Sequence, residues 1–323
     1  MKRVSADRPP TARSAGRRAR HRRARFWLGQ IQAQPLAAFG AFLVIAWVFI
    51  AIFAPLIAPY DPIKGSFHLQ DIQAAPSGAH WFGTDDHGRD ILSRVMFGSR
   101  SVLVLAGIST LAALSCGTIV ALVSGYYGGV VDEVLMRIAD AAMALPAVLL
   151  ALLILAMFGP GDLGLFASTV IVFTPLVARV VRSAVLPLAD REFIAAARLR
   201  GERGPAIMLR ELLPNLLGVL AVEGSIRLGY AIFLIASLGF LGVGVQPPTP
   251  DWGVMVSEAQ NYASVSPWMV IFPALAISTL VIGVNLVSDG VKQLMLSLEQ
   301  RGDDAPAQTR SVPETSTIPA TGS

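Results

Sequence analysis

The chain has 323 residues, of which 54% are hydrophobic, 15% are charged and one is a cysteine. This composition is too apolar for an ordinary soluble domain, and the length is sufficient for several membrane-spanning helices. The lone Cys116 excludes an intrachain disulfide and a cysteine-based metal centre. We therefore interpret the chain as a polytopic membrane protein.

The chain begins with a basic tail, residues 1–35, that contains ten lysines and arginines and a single acid, Asp7. The whole chain has a net charge of +4. Basic segments directly before an apolar span stay in the cytoplasm, so we assign the tail to that side. Its expected contacts are anionic lipid headgroups rather than nucleic acid. The apolar run that follows is too long for the core of a signal peptide, which predicts a retained anchor.

Six apolar segments follow that are long enough to cross a membrane. The predicted spans cover residues 36–58, 101–124, 139–158, 163–181, 216–244 and 268–288. Long runs of Leu, Ala, Val and Ile without alternating polarity favour helices over a barrel, so the predicted fold class is an all-α bundle of six transmembrane helices.

These spans divide the chain into four parts. They are the tail 1–35, a first span with a polar external segment over 36–100, a five-span core over 101–300, and a cytoplasmic tail over 301–323. The last part is rich in Pro, Thr and Ser, which predicts disorder.

The external segment contains two short motifs, His-Trp-Phe-Gly-Thr-Asp ending at Asp85 and Gly-Arg-Asp ending at Asp90. The residues singled out in them are Gly83, Thr84, Asp85, Gly88, Arg89 and Asp90. The neighbouring histidines and carboxylates match no recognised ligand spacing, and Thr84 or Asp85 would serve equally as a helix cap. We predict no metal site here.

A charged segment between the fourth and fifth spans, residues 190–215, is named here the elbow. Its first half is rich in helix-forming residues, and Gly201 stands where a helix C-terminus favours positive φ. Pro205 fits the first turn of a second short helix, which we expect Pro214 to end. The three small residues Ala195, Ala196 and Ala197 predict a surface that a partner's backbone could approach closely.

The fifth span contains Glu223 and Arg227, one helical turn apart. A lone charge at mid-membrane costs about 2.5 to 3.5 kcal/mol on insertion scales, so we expect both side chains to face protein or water rather than lipid. Two interpretations stay open: a polar lining of a translocation path or subunit interface, or a self-neutralising pair.

The distribution of basic residues predicts the orientation. With six spans and both ends in the cytoplasm, most Lys and Arg residues fall on the cytoplasmic side. The exceptions are Lys64, Arg89, Arg94 and Arg100. The external turns after spans three and five contain no Lys or Arg at all, which supports the same orientation.

Three separated signatures identify a family resemblance. They are the two motifs around Asp85 and Asp90, the elbow with its small residues, Gly201 and Leu-Leu-Pro214, and the segment Gln-Pro-Pro-Thr-Pro-Asp-Trp-Gly ending at Gly253. In this order, over residues 36–300, they resemble the permease subunits of ABC importers of the dipeptide/oligopeptide group. The chain departs from the usual family pattern at Ala195, where Glu is common, and at Ile235, where an acid is frequent.

The resemblance implies a type I ABC importer permease fold and a set of partners. These partners are a second homologous permease subunit, two ABC ATPase subunits and an extracytoplasmic substrate-binding protein. The elbow would be the coupling helix that docks on an ATPase. Its implied contact residues are Ala195, Ala196, Ala197, Arg198, Arg200, Gly201 and Pro214. Because Ala195 lacks the usual carboxylate, we expect Arg198, Arg200 or Arg203 to contribute more to that interface.

The chain contains no phosphate-binding loop, zinc-protease motif or nucleophile elbow, so we predict no catalytic residues, no cofactor and ATP hydrolysis in partner subunits. Di- or oligopeptides are the expected substrates, with nickel chelates or glutathione-like peptides as alternatives in the same group. A secondary transporter or channel is the alternative of another class. Such proteins commonly place ionisable groups in several spans, whereas Glu223 and Arg227 are nearly the whole inventory here.

Overall fold

The computed structural model describes residues 34–66, 68, 71–246 and 248–303, with the backbone alone over 298–303. Nearly all of the basic tail and the segment 304–323 lie outside these residues. Within the described part the chain is helical, with one isolated β-bridge between Thr84 and Asp90 and no strand. The prediction of an all-α fold is therefore confirmed.

Ten α-helices are present in the described part. They are α1 (Pro35–Ile57), α2 (Ile91–Tyr127), α3 (Gly129–Met143), α4 (Ala147–Phe158), α5 (Asp162–Ala189), α6 (Glu192–Leu199), α7 (Gly204–Ile207), α8 (Leu213–Phe240), α9 (Trp252–Ala259) and α10 (Trp268–Asp303). A π-helical segment, Met208–Leu212, joins α7 to α8, and a short 3₁₀ turn follows α9.

Five stretches are long and apolar enough to cross a membrane as single helices: α1, α2, α5, the continuous run Gly204–Phe240 and most of α10. A sixth span forms if α3 and α4 are counted together, although they meet at an angle of 95°. The six-span prediction is therefore confirmed with one span broken.

The broken span corrects the prediction of one helix over 139–158. Residues 144–146 interrupt it, and Pro146 has an extended backbone, φ −54° and ψ 133°, at the N-cap of α4. A proline ring clashes with the preceding helical turn and supplies no N–H, so the chain bends there. α3 itself begins at Gly129, ten residues before the predicted span.

Three helices extend well beyond the predicted spans. α2 begins at Ile91 instead of residue 101, α5 ends at Ala189 instead of residue 181, and α10 continues past residue 288. Hydropathy identifies only the apolar part of each helix, whereas caps and tertiary contacts decide where it ends. Asp90 caps α2, accepting a hydrogen bond from the Ser93 N–H.

The helices pack in two apolar clusters, one near the elbow and one towards the opposite end of the bundle, named here the far end. Close approach of α2 and α5 depends on Gly117, since a Cβ there would lie 2.6 Å from Val177. α1 lies on the outside against α10 and α2, and Trp47 donates a 3.1 Å hydrogen bond to Thr279. The bundle thus holds the elbow at one end and the segments 58–90 and 241–267, the far cap, at the other.

Candidate functional site

The elbow turns at Gly201, which has φ +75° as the sequence predicts. The Gly201 N–H donates to the Arg198 carbonyl at 3.0 Å, and the Glu202 N–H donates to the Ala197 carbonyl at 3.2 Å. These two bonds form a Schellman motif, which satisfies carbonyls at the end of α6 and requires a left-handed residue at its centre. The turn is therefore well defined.

The two faces of α6 differ sharply. Ala195 and Ala196 are exposed, whereas Ala197 is fully buried beside Ile194 against the cluster formed by α2, α5 and α8. The predicted small-residue surface therefore consists of Ala195 and Ala196 only. Ala197 instead fastens α6 to the bundle.

Leu199 was not singled out from the sequence, yet its side chain is 90% exposed at the tip of the elbow. An exposed leucine beside two exposed alanines forms an apolar surface at the end of a polar segment. Its position one residue before the helix cap could have suggested exposure, but only the fold shows that no described element covers it.

The elbow arginines have different surroundings. The Arg198 guanidinium lies 4.8 Å from the centre of the Tyr126 ring, and Arg200 forms a 2.7 Å ion pair with Glu202. Arg203 is exposed at the start of α7. The first two arginines therefore stabilise the elbow itself as well as presenting charge.

Pro214 does not end a helix, contrary to the prediction. It lies in the first turn of α8, directly after the π-helical segment Met208–Leu212. Within that wider turn the Leu213 N–H donates to the Met208 carbonyl five residues back, so the register shifts just before the residue that lacks an N–H. The elbow consequently continues into α8 without a break.

Glu223 and Arg227 form an ion pair on α8, with 2.6 Å between Glu223 Oε1 and Arg227 Nε. Glu223 is buried, and the Arg227 guanidinium also lies 5.8 Å from the centre of the Tyr230 ring. Both side chains are largely buried among the described residues. The two charges neutralise each other, which is one of the two interpretations left open by the sequence. A role of this pair in a translocation path stays a prediction.

The break between α3 and α4 is a further candidate that the sequence analysis did not assign to function. Ala144, Leu145 and Pro146 are all exposed there. Asp132 and Asp140 on α3 form ion pairs with Arg182 and Arg179 on α5, respectively, which connect the two helices. Discontinuous spans are a recurrent feature of substrate sites in transporters.

The motifs of the segment 58–90 form an ordered loop. Asp85 Oδ1 accepts hydrogen bonds from the backbone N–H groups of His87 and Arg89, each at 2.9 Å, while Oδ2 lies 2.7 Å from Arg89 Nε. Gly83 and Gly88 have φ of +76° and +69°, and the Thr84 hydroxyl accepts from the Ala74 N–H at 2.8 Å.

This loop is tied to the rest of the far cap. Arg89 and Arg94 both approach Glu258 on α9 at 3.4 Å, and the Trp252 indole donates a 2.8 Å hydrogen bond to the Val95 carbonyl. Ligand atoms of Asp85, Asp86 and His87 lie within 4.8 Å of one another, but both Asp85 oxygens already accept bonds from the protein. The motifs thus have a structural role, and the absence of a metal site stays a prediction.

Asp251 is the N-cap of α9 and the most unusual acid of the far cap. It is almost completely buried, and its Oδ1 accepts from the Val254 N–H at 3.0 Å while Oδ2 has no partner among the described residues. A Cβ on Gly239 would lie 2.6 Å from Oδ1, so α8 and α9 meet at this carboxylate. Burial, with a smaller contribution from the charge of Asp162, raises the pKa of Asp251 to about 6.

Comparison with protein families gives two matches. Residues 117–296 match the family described as "Binding-protein-dependent transport system inner membrane component". Residues 26–76 match the "N-terminal TM domain of oligopeptide transport permease C". Together they include most of the helical bundle and the elbow.

Individual relatives agree with these families. The chain is 38% identical over 268 residues to the dipeptide transport system permease protein DppC of Alkalihalophilus pseudofirmus, covering 82% of this chain and 87% of that protein. It is 37% identical over 270 residues to the glutathione transport system permease protein GsiD of Pectobacterium atrosepticum, covering 84% and 89%. An inward-facing structure of the MetNI methionine ABC transporter matches 64% of this chain and 97% of its own, at 18% identity and a TM-score of 0.51, which shows the fold alone.

Proposed function

We propose, because the chain belongs to the family of binding-protein-dependent transport system inner membrane components, that it is the permease subunit of an ATP-driven importer for di- or oligopeptides. The observation that supports a peptide substrate is the pairing of an oligopeptide permease C N-terminal domain with a dipeptide permease relative that matches over most of both chains. The glutathione permease relative favours a small peptide-like solute as the second candidate.

The proposed complex contains a second homologous permease subunit, two ABC ATPase subunits and an extracytoplasmic substrate-binding protein. ATP would be hydrolysed in the ATPase subunits, since the chain itself has no phosphate-binding loop. Both termini and the elbow would lie in the cytoplasm, in agreement with the excess of Lys and Arg on that side.

The elbow would dock on an ATPase subunit through Ala195, Ala196 and Leu199. Small side chains allow close approach of a partner backbone, and Leu199 offers about 1.5 to 3 kcal/mol if it is fully buried in the interface. Exposure of these three residues, against burial of Ala197, supports this choice of face. Arg203, which is exposed, would supply polar contacts in place of the carboxylate that Ala195 lacks.

The docked elbow would transmit ATPase movement into the membrane. Ile194 and Ala197 are buried against α2, α5 and α8. Because this core is closely packed, a displacement of α6 would also displace these three helices. The run from α7 through the π segment into α8 is continuous, and α8 reaches the far cap at Gly239. This connection supports a coupled change at both ends of the bundle.

The translocation path would lie between the two permease subunits. A peptide's charged termini and amide groups cannot cross hydrocarbon unaided, so the path must be lined by protein and open to one side at a time. The exposed break at Ala144, Leu145 and Pro146 is the element of this chain that we place at the path. Glu223 and Arg227 would support it from α8 as a neutralised pair.

The test is uptake by the complete complex reconstituted in vesicles with its binding protein. We expect ATP-dependent accumulation of a radiolabelled dipeptide, with glutathione and a nickel chelate as competing solutes. Uptake of glutathione but not of the dipeptide would favour the second candidate substrate, a small peptide-like solute. Uptake driven by an ion gradient without ATP would contradict an ABC importer altogether.

A further inference from the structure

Two neighbouring cavities lie on α2 at the far end of the bundle. One, of about 350 Å³, lies between α2, the start of α5 and the loop before α9. The other, of about 330 Å³, lies between α1 and α2. Arg100 and Val104 line both cavities, so the two cavities adjoin along α2 and together make one candidate site.

The first cavity is bordered by two opposite charges, Arg100 and Asp162. Neither forms an ion pair within the part of the chain that the structure describes. Arg100 is followed on α2 by uncharged residues as far as Tyr127, and Asp162 begins α5, whose next charge is Arg179. Both charges therefore mark the level at which the apolar part of the bundle begins.

The second cavity is apolar below that level. Its apolar lining consists of Val48, Ala51 and Ile52 of α1 and Leu103 and Val104 of α2. Arg100 lines the end of this cavity nearest the far cap. A peptide placed in this slot would leave its backbone N–H and C=O groups without partners, which is costly away from water. A hydrocarbon chain has no such groups.

We propose that this site binds a zwitterionic aminophospholipid of the far-end leaflet. Its phosphate lies at Arg100, its ammonium at Asp162, and one acyl chain occupies the slot between α1 and α2. The two charges complement a headgroup that carries one negative and one positive group, whereas an anionic headgroup without an amine would be repelled by Asp162. The site also connects α1 to the core through a ligand.

The test uses the full chain with its co-purifying subunits, exchanged into nanodiscs that contain phosphatidylethanolamine, phosphatidylglycerol or both. Native mass spectrometry counts the lipids retained after partial delipidation. We expect the wild type to retain phosphatidylethanolamine in preference to phosphatidylglycerol. We expect Arg100→Gln to lower retention of both lipids about tenfold, and Asp162→Asn to lower the preference between them.

Lys64→Gln serves as the matched control, because Lys64 is an exposed cation of the far cap that lines neither cavity. Val104→Trp should fill space in both cavities and so release the lipid without removing a charge. Thermal unfolding in detergent verifies that each variant is folded. Equal lipid retention by Arg100→Gln and Lys64→Gln, or crosslinks from Ser101→Cys to the second permease subunit instead of lipid, would overturn the proposal.

Discussion

At the scale of single residues, adjacent alanines in α6 have opposite environments. Ala196 is exposed on the face that we assign to the ATPase, and Ala197 is fully buried. We expect Ala196→Trp to abolish ATP-driven uptake while membrane insertion and the thermal midpoint stay at wild-type values. Ala197→Trp should instead lower stability by about 1 to 3 kcal/mol or more, because the core has no space for an indole.

Uptake and thermal unfolding measured side by side distinguish the two variants. Normal uptake by Ala196→Trp, with wild-type stimulation of the ATPase, would show that this face does not dock.

Asp251 predicts a pH dependence of stability. Its folded pKa of about 6 lies above the ordinary aspartate pKa of 3.8, so the folded state holds the proton more tightly than the unfolded state. Stability should therefore rise as pH falls from about 6 to about 4, by at most about 3 kcal/mol. Asp251→Asn keeps an acceptor at the cap and removes the charge, so we expect a higher thermal midpoint at pH 8 and a flatter profile over this range.

Asp90→Ala, which removes the acceptor at the other cap, is the contrasting variant. Asp90 Oδ2 accepts bonds from both the backbone N–H and the hydroxyl of Ser93, so we expect its loss to destabilise the protein. A lower midpoint for Asp251→Asn at pH 8 would show that the Asp251 charge stabilises the far cap.

At the scale of elements, the sequence predicts the number and order of the spans but not their ends. Hydropathy identifies apolar segments, whereas the start of α2 depends on the Asp90 cap and on contacts with α9 that are distant in sequence. The turn at Gly201 was predictable because the left-handed conformation itself favours glycine. Pro214 was wrongly expected to end a helix because a local rule cannot anticipate the π segment that accommodates it.

The break at Pro146 gives a prediction for an element. Pro146→Ala removes the ring that opposes a continuous helix, so we expect α3 and α4 to straighten and uptake to fall several-fold. Spin labels at positions 133 and 157, on a Cys116→Ser background, should lie about 23 Å apart in the bent span and about 36 Å apart in a straight one.

Leu149→Ala removes an exposed side chain of α4 without changing the backbone, and it should leave both distance and uptake unchanged. A Pro146→Ala protein that keeps the short distance would show that the bend is set by packing rather than by the proline.

At the scale of the whole molecule, the two ends of the bundle are connected through α8. The elbow is fastened at Ile194 and Ala197, α8 continues from it to Gly239, and Asp251 joins that end to α9. α9 in turn contacts α2 through Trp252 and Val95. If the elbow moves as proposed, the packed contacts of α8 with α9 and of α9 with α2 would connect that movement to the far cap.

The most direct test of this account is to purify the affinity-tagged chain from its native host in mild detergent and identify the co-purifying proteins by mass spectrometry. We expect recovery of a second six-span permease and of P-loop ATPases, and we expect Leu199→Glu to lose the ATPases while it keeps the second permease. A chain that purifies alone or as a homo-oligomer would contradict the importer and favour a secondary transporter or channel.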